Sequence, residues 1–289
     1  MTKTDWVYLD GAFMPAREAA ISPFDRGFLF AHAAYEVTAV YNRKFVDLDL
    51  HLARLARTLG GLEIVAPDLD WVKIHQELIA RNDVSEGLVY LQVTAGTHGP
   101  RDFYGPETLT ASVFAFASEK TLIGDAARDG IAVISHEDTR WARRDLKTTQ
   151  LLSQSLAYRA ARRAGATTSV MHEAGVVTEA ASANLWIVTE DGTLVTRHLS
   201  QALLPGVTRA RALALLADQG TAFEERAFTL DELRAAREAF TSSTGAMIAP
   251  VLSLDGTAIG SGAPGPMTRK VQAAYYRYIG ADLAVFDWL

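Results

Sequence analysis

Hydrophobic and polar residues alternate along the first third of the chain, in short runs that end at turn-forming dipeptides. This alternation predicts β-strands, and Asp10-Gly11 and Asn42-Arg43 are placed to close two hairpins. Leucines at helical spacing follow between Leu52 and Leu62, which predicts an amphipathic helix. The predicted strands are 6–9, 12–14, 34–41, 44–48, 88–95 and 110–117.

The alternation lapses between residues 119 and 127, where polar and small residues replace it. We place a domain boundary there, because a chain of 289 residues exceeds the usual size of a single hydrophobic core. The prediction is a small N-terminal α+β domain over residues 1–120, a linker over 121–125 and a larger α/β domain over 126–289.

The second predicted domain mixes short strands with helices, so the fold class is mixed α and β, with antiparallel-rich sheets. Leu152, Leu156 and Ala160 recur at helical spacing and predict a helix over 146–164, with Gly165 placed to end it and Lys147 at its start. Strands are predicted at 131–135, 169–172, 176–178, 184–188, 193–196 and near 240, and helices at 209–219, 230–239 and 267–278.

Composition narrows the possible functions. A net charge of -6 leaves no basic surplus for nucleic acid, and the absence of cysteine excludes disulfides, thiolate metal ligands and thiol nucleophiles. We predict no metal site. No positively charged segment leads into an apolar stretch at the start, and no apolar run approaches membrane-spanning length. We therefore expect a cytoplasmic protein that binds neither membrane nor nucleic acid.

Lys147 is a candidate nucleophile, because it lies where a strand-like stretch meets an apolar helix. A lysine that is partly desolvated there is a usable amine at neutral pH and can form Schiff bases. A solvated lysine in the first turn of a helix is the alternative that its position leaves open.

Two further segments offer hydrogen-bond donors to an anion. Pro205-Gly206-Val207-Thr208 leads into a predicted helix with Thr208 as its N-cap, and the first N–H groups of a helix favour anions. Thr241-Ser242-Ser243-Thr244-Gly245 places a cluster of hydroxyls at a tight turn. An ordinary cap and an ordinary turn are the alternatives.

Taken in order, several segments resemble the fold-type IV enzymes that use pyridoxal phosphate (PLP), a family of D-amino-acid, branched-chain and related transaminases with aminodeoxychorismate lyase. The resemblance covers nearly the whole chain. Its motifs are Asp25-Arg26-Gly27, Tyr35-Glu36-Val37, His51-Leu52-Ala53-Arg54-Leu55, Arg140-Trp141, Asp145-Leu146-Lys147, Val177-Thr178-Glu179-Ala180-Ala181-Ser182-Ala183-Asn184, Leu204-Pro205-Gly206-Val207-Thr208-Arg209 and Phe240-Thr241-Ser242-Ser243-Thr244.

The resemblance implies that Lys147 forms the Schiff base with PLP and moves the proton at the substrate Cα. It also implies that Glu179 pairs with the pyridine nitrogen, which makes the ring a better electron sink. Other residues match the phosphate cup and the surroundings of the ring, namely Arg54, Ser182, Asn184, Leu204, Val207, Thr208, Ser243 and Thr244. Substrate contacts are implied for Tyr35, Val37, His98, Arg101, Arg140 and Gly245. Arg140 could orient Tyr35, contact the substrate or pair with a carboxylate.

Within the family, the order of the motifs most resembles D-amino-acid transaminase, which implies a homodimer acting on amino acids and 2-oxo acids. Branched-chain enzymes tend to carry a tyrosine one turn after the lysine, where this chain has Leu151 and Leu152. Arg101 matches the carboxylate anchor of D-specific enzymes, but Phe103 replaces their histidine. An R-selective amine transaminase, a branched-chain transaminase, a lyase and a non-catalytic PLP-binding protein are the alternatives.

Overall fold

The computed structural model describes residues 4–289, which separate into two compact units. The first unit comprises the chain up to Leu122 together with Leu146–Gln150, and the second comprises Ile123–Asp145 and Leu151–Leu289. Residues 1–3, with which the first predicted domain begins, lie outside the described range. Residues 146–150 differ from the predicted division, because they pack with the first unit although they follow residues of the second.

The first unit is built on an antiparallel sheet with the strand order β2-β1-β6-β5-β3-β4. Two longer helices, α2 and α3, follow the β3–β4 hairpin, and the short helix α1 precedes it. The elements are β1 (Trp6–Leu9), β2 (Ala12–Pro15), α1 (Arg26–Phe30), β3 (Ala33–Tyr41), β4 (Lys44–Phe45), α2 (Leu48–Gly61), α3 (Trp71–Arg81), β5 (Gly87–Thr94) and β6 (Ser112–Glu119).

The two faces of this sheet differ in character. Leu55 and Leu59 of α2 and Leu78 of α3 pack in one core with Leu91 and Val93 of β5, so the helices cover one face. The strands alternate buried and half-buried residues, as the period of two requires. The face opposite the helices is half-buried and carries Tyr35, Val37, Tyr90, Gln92, Phe114 and Phe116.

The second unit contains a mixed sheet of nine strands in the order β12-β11-β10-β13-β14-β7-β8-β9, with β15 paired to β14. Most pairs are antiparallel, and β11–β12, β14–β7 and β7–β8 are parallel. The elements are α4 (Asp125–Asp129), β7 (Ile131–Glu137), α5 (Leu152–Arg163), β8 (Thr168–Glu173), β9 (Val176–Ala180), β10 (Asn184–Val188), β11 (Leu194–Thr196), α6 (Val207–Asp218), β12 (Phe223–Glu225), α7 (Leu230–Ala235), β13 (Glu238–Ser243), β14 (Met247–Leu254), β15 (Thr257–Ala258) and α8 (Pro266–Tyr278).

The mixed α/β class and the antiparallel-rich sheets are confirmed, but two predicted helices are too long. The helix predicted over 146–164 begins only at Leu152, because Thr148 forms a β-bridge with Ala34 and the residues before it lie in a turn and a bend. The helix predicted over 230–239 ends at Ala235, since residues from Glu238 pair with β10 and β14. The strand β14 was not predicted.

Candidate active site

Lys147 lies in an irregular segment of the first unit, Leu146–Gln150, and not in the first turn of a helix as predicted. Its carbonyl accepts a hydrogen bond from the Tyr35 N–H at 3.0 Å, and its own N–H donates to the Thr58 hydroxyl at 3.3 Å. Its Nζ lies 4.2 Å from the centroid of the Tyr35 ring. Among the described residues of the first unit, no carboxylate pairs with this half-buried amine.

Tyr35 and Val37 point to the half-buried face of the sheet, because they are two residues apart on β3. The Tyr35 ring stacks on Tyr90 at 5.6 Å, and Tyr90 stacks in turn on Phe116 at 5.2 Å. Burial raises the pKa of Tyr90, which donates a hydrogen bond to Gln92. The first unit thus offers an aromatic surface beside Lys147, on which the predicted substrate residues Tyr35 and Val37 both lie.

Glu36 points to the opposite face and forms a buried charged cluster with helix α2. It accepts two hydrogen bonds from Arg54, at 2.7 and 2.8 Å, and one from His51 Nδ1 at 2.8 Å. Burial disfavours its ionised form, but the charge and hydrogen bonds of Arg54, with those of His51, lower the pKa of Glu36 to about 2. Arg54, predicted to bind phosphate, is therefore fixed in position by a carboxylate.

The long loop after β5 carries Arg101 on the surface of the first unit. Its guanidinium lies over the rings of Phe30 and Phe103, at 5.3 and 4.5 Å from their centroids. Arg26 binds the same loop, donating to the carbonyls of Asp102 and Phe103 at 2.8 and 3.2 Å. Phe103 therefore packs against Arg101 in the position where a histidine was expected. His98, the other predicted substrate residue of the loop, is exposed.

Glu179 is the buried acid of the second unit, on strand β9. Its Oε1 accepts from Arg140 Nη1 at 2.5 Å and from the Leu204 N–H at 3.2 Å, and its Oε2 accepts from Asn184 at 3.1 Å. Asn184 also donates to the Leu204 carbonyl at 2.9 Å. Burial raises the pKa of Glu179, and the charge of Arg140 opposes this effect. Three predicted cofactor residues, Glu179, Asn184 and Leu204, are thus joined by hydrogen bonds.

Arg140 adopts the third of its predicted alternatives, because it pairs with carboxylates. Its Nε and Nη2 donate to the two oxygens of Asp138 at 2.9 and 2.7 Å, while Nη1 binds Glu179. Its side chain is 6% exposed. Asp138 also accepts a hydrogen bond from the Thr178 hydroxyl at 2.7 Å. All three nitrogens of the guanidinium therefore have carboxylate partners within the second unit.

The first turn of α6 provides backbone donors. The helix begins at Val207 with Gly206 as its N-cap, so the prediction of Thr208 as N-cap is wrong by two residues. No described residue of the second unit accepts from the N–H groups of Val207 and Thr208. A Cβ on Gly206 would lie 2.0 Å from Asn184 Oδ1, so only glycine permits this close approach of the helix start to the Glu179 network.

The remaining predicted residues of the second unit lie at two turns. Ser243 ends strand β13, and Thr244 and Gly245 form the half-buried turn that leads to β14. The Ser243 hydroxyl accepts from the Ala246 N–H at 3.3 Å. Ser182 is exposed, and its hydroxyl forms a hydrogen bond of 2.5 Å with that of Tyr158. No contact with Glu179 supports the predicted role of Ser182.

Each unit contains donors and acceptors that fit PLP. The open N–H groups of Val207 and Thr208 suit a phosphate at a helix N-terminus. Among the described residues, Glu179 Oε2 has one partner, and a carboxylate oxygen accepts about two hydrogen bonds, so it can receive a pyridinium N–H. Lys147 supplies an amine without a carboxylate partner in its unit.

Two important residues, Glu36 and Asp138, were given no role from the sequence. A signal existed for Glu36, because it alternates with Tyr35 and Val37 on a strand and must face the opposite, helix-covered side. A buried carboxylate requires a cationic partner, and Arg54 is placed to provide it. Asp138 follows a strand and precedes Arg140 by two residues, a spacing that carries no comparable signal.

The fold and the comparisons with known proteins place the chain among the PLP-dependent aminotransferases of class IV. Residues 33–254 match the family model described as amino-transferase class IV, and the chain belongs to this family. It is 34% identical over 280 residues to a D-alanine aminotransferase of Bacillus licheniformis, covering 96% of this chain and 98% of that protein.

Solved structures confirm the fold. A branched-chain amino acid aminotransferase of Escherichia coli superimposes with a TM-score of 0.89 at 23% identity, covering 99% of this chain and 98% of that one. A second branched-chain amino acid aminotransferase, solved with pyridoxamine 5′-phosphate, gives a TM-score of 0.86 at 22% identity, covering 100% of this chain and 98% of that one. The fold-type IV architecture predicted from the sequence is therefore confirmed.

Proposed function

We propose that the protein transfers the amino group of a D-amino acid to a 2-oxo acid such as 2-oxoglutarate or pyruvate, with PLP as its cofactor. The observation that carries the reaction type is Lys147, a half-buried amine over the Tyr35 ring with no carboxylate partner in its unit. The D-amino-acid preference is supported by full-length similarity to a protein named D-alanine aminotransferase.

Lys147 and Glu179 divide the proton chemistry between them. PLP, when bound, draws electrons from the substrate Cα into its ring. Lys147 Nζ would hold the cofactor and would move the proton at the substrate Cα, a role that suits an amine with no carboxylate partner among the described residues of its unit. Glu179 holds the proton at the ring nitrogen through its partly free Oε2. Arg54, Val207 and Thr208 bind the phosphate, assisted by Ser243 and Thr244.

The substrate carboxylate is bound by Arg101, whose planar fork matches two carboxylate oxygens. Its guanidinium is oriented by Phe30 and Phe103, and no described carboxylate of the first unit pairs with it. Tyr35 and Val37 form the adjoining wall. His98 and Gly245 are further substrate contacts in this proposal.

We also propose a cytoplasmic homodimer. The first unit exposes large hydrophobic side chains around α1 and the long loop, and Phe28, Phe103 and Tyr104 are 76%, 68% and 94% exposed. Such a patch marks an interaction surface. Among residues 4–289, no helix is long and apolar enough to cross a membrane. Light scattering that showed a fully active monomer would exclude the dimer.

The experiment that tests the function combines spectroscopy with a donor panel. Purified protein with PLP should show a visible absorption band that D-alanine or D-glutamate shifts, and L-isomers and an R-configured arylamine should act more weakly. Borohydride reduction and peptide mapping should then find the cofactor on Lys147. Attachment to another lysine would overturn the assignment, and a stronger response to the arylamine would favour an R-selective amine transaminase.

A further inference from the structure

Five charged side chains of alternating sign form a continuous series of ion pairs in the second unit. It begins at Glu179, passes through Arg140 to Asp138, continues to Arg144 at 3.4 Å and ends at Glu173, 2.6 Å from Arg144 Nη2. Asp138 is completely buried, whereas Glu173 is 50% exposed. This series of ion pairs therefore links the buried carboxylate of Glu179, on β9, to the surface.

Asp138 lies at the centre of this series of ion pairs and is fixed by hydrogen bonds to several residues. Its N–H donates to the His172 carbonyl at 2.8 Å, and its Oδ2 accepts from Thr178, the residue before Glu179. Arg140 binds both of its oxygens. These contacts fix Asp138 relative to the β8–β9 hairpin, so that Arg140 is held in one orientation toward Glu179.

The balance of charge gives this arrangement a consequence for Glu179. Arg140 alone, at 2.5 Å, would cancel much of the negative charge that Glu179 presents to any other group. Asp138 pairs with the same guanidinium, and its negative charge offsets part of the positive charge that acts on Glu179. Arg144 withdraws part of that charge, because it also pairs with Asp138.

The directions of the pKa shifts agree with this balance. Burial raises the pKa of Glu179, Arg140 opposes the rise, and the charge of Asp138 adds to it. The pKa of Asp138 itself is lowered despite burial, because Arg140, Thr178 and Arg144 stabilise its anion. Arg197, whose pKa is lowered by burial, and Glu173 are the other charged groups that act on this cluster.

We propose that Asp138 is a positioning residue that binds Arg140 and Arg144 together and thereby keeps the negative charge of Glu179 available to the ring nitrogen of PLP. This inference rests on the proposed function, which places that nitrogen at Glu179. It assigns a task to a residue that touches neither cofactor nor substrate in the proposal, and it makes Arg144 an opposing influence on the same nitrogen.

The test uses the full-length protein loaded with PLP labelled with ¹⁵N in the ring, and measures the ¹⁵N chemical shift against pH. Asp138→Asn should lower the pH midpoint at which the nitrogen loses its proton by about one unit, the lower end of the effect of a nearby charge. Arg144→Gln should raise this pH midpoint, because it removes a positive charge near Asp138. The negative charge of Asp138 then acts on Arg140 without the opposing charge of Arg144.

Glu238→Gln is the matched control, because Glu238 is a buried carboxylate of the same unit that accepts from Met267 and Thr268 at the start of α8. It should lower stability without moving the midpoint. The proposal is wrong if the ring nitrogen of PLP bound to the Asp138→Asn variant has the wild-type ¹⁵N chemical shift at every pH at which the protein is folded. If Asp138→Asn does not fold, Arg144→Gln decides, and an unchanged or lowered midpoint contradicts the proposal.

A failure of the proposed function and a failure of the role of Asp138 would give different results. Wild-type protein that takes up no labelled PLP would contradict the proposed function and this inference with it. Wild-type protein that binds PLP and shows a protonated ring nitrogen, with a midpoint insensitive to both variants, would contradict the role of Asp138 alone.

Discussion

Each unit of the protein buries a glutamate against an arginine, but the surroundings of the two pairs differ. In the first unit Arg54 gives two hydrogen bonds to Glu36, and His51 adds a third. In the second unit Arg140 gives one to Glu179 and two to Asp138. The pKa of Glu36 is lowered to about 2, whereas burial raises that of Glu179.

We propose that this difference separates a carboxylate that stabilises the fold from one that binds the cofactor. Glu36 is surrounded by donors that neutralise it, so its ionised form stabilises the fold. Glu179 shares its arginine with a second carboxylate, so part of its charge remains for another partner. A buried ion pair alone does not identify a catalytic residue, and the sharing of the cation distinguishes the two sites.

The largest effect is expected from Glu36→Gln, which leaves Arg54 without its counter-charge and removes one of the two oxygens that accept from Arg54 and His51. Removing one partner of a buried ion pair costs about 3–5 kcal/mol, and urea denaturation should show a loss of this size. Glu77→Gln is the control, because its pair with Arg81 is about 40% exposed and should be worth less than about 1 kcal/mol. Equal losses in the two variants would remove the contrast.

Acid should produce the next largest effect, through the same carboxylate. The pKa of Glu36 is about 2 in the folded protein against a reference of 4.5, so its stabilisation is present above pH 4.5 and is lost as the pH falls toward 2. The full contribution is on the order of 3 kcal/mol. His51, whose pKa burial lowers, acts with the same sign as the pH falls below its reference of 6.5.

The measurement compares the free energy of unfolding of wild type and Glu36→Gln at several pH values. The difference between them should be constant above about pH 5 and shrink below it. If the free energies of unfolding of wild type and Glu36→Gln run parallel down to the lowest pH, Glu36 does not lose stabilising charge as the pH falls, which contradicts the prediction. Glu179 should contribute with the opposite sign, because its pKa is raised in the folded protein.

Glu179→Gln should leave the stability of the protein nearly unchanged, since Arg140 keeps both hydrogen bonds to Asp138. Its effect is expected on the reaction. A hydrogen bond to a charged group contributes about 1.5–3 kcal/mol, so the half-reaction with D-alanine should slow roughly tenfold or more. Stopped-flow absorbance on the PLP-loaded variant measures this rate, and a rate equal to wild type would contradict the role of Glu179.

Much of the fold and of the site could be predicted from the sequence, because alternation and tight turns are local. Lys147 and Glu179 were found through motifs that the family shares, and their assigned roles stay predictions. The absence of helix around Lys147 could not be predicted, because the bridge between Ala34 and Thr148 joins residues far apart in sequence. Pairing with a carboxylate was one of the alternatives for Arg140, but its partner Glu179 could not be named from the sequence for the same reason.

The smallest effect in this series concerns Arg101, which contrasts with both buried arginines. Arg54 and Arg140 are held by carboxylates, whereas Arg101 lies over the rings of Phe30 and Phe103 and has no carboxylate partner among the described residues of its unit. Aromatic rings orient a guanidinium without neutralising it, so its hydrogen-bonding fork remains open to a substrate carboxylate.

Arg101→Ala should therefore lower kcat/KM for D-alanine and D-glutamate by roughly tenfold, which is the low end for a hydrogen bond to a charged group. Turnover of an R-configured arylamine should be spared, because that donor has no carboxylate. Arg57→Ala is the control, since Arg57 is an exposed arginine of the same unit on helix α2. An equal loss for all donors would indicate that Arg101 only supports the loop. No loss for any donor would move the carboxylate contact to another residue, with His98 the next to test.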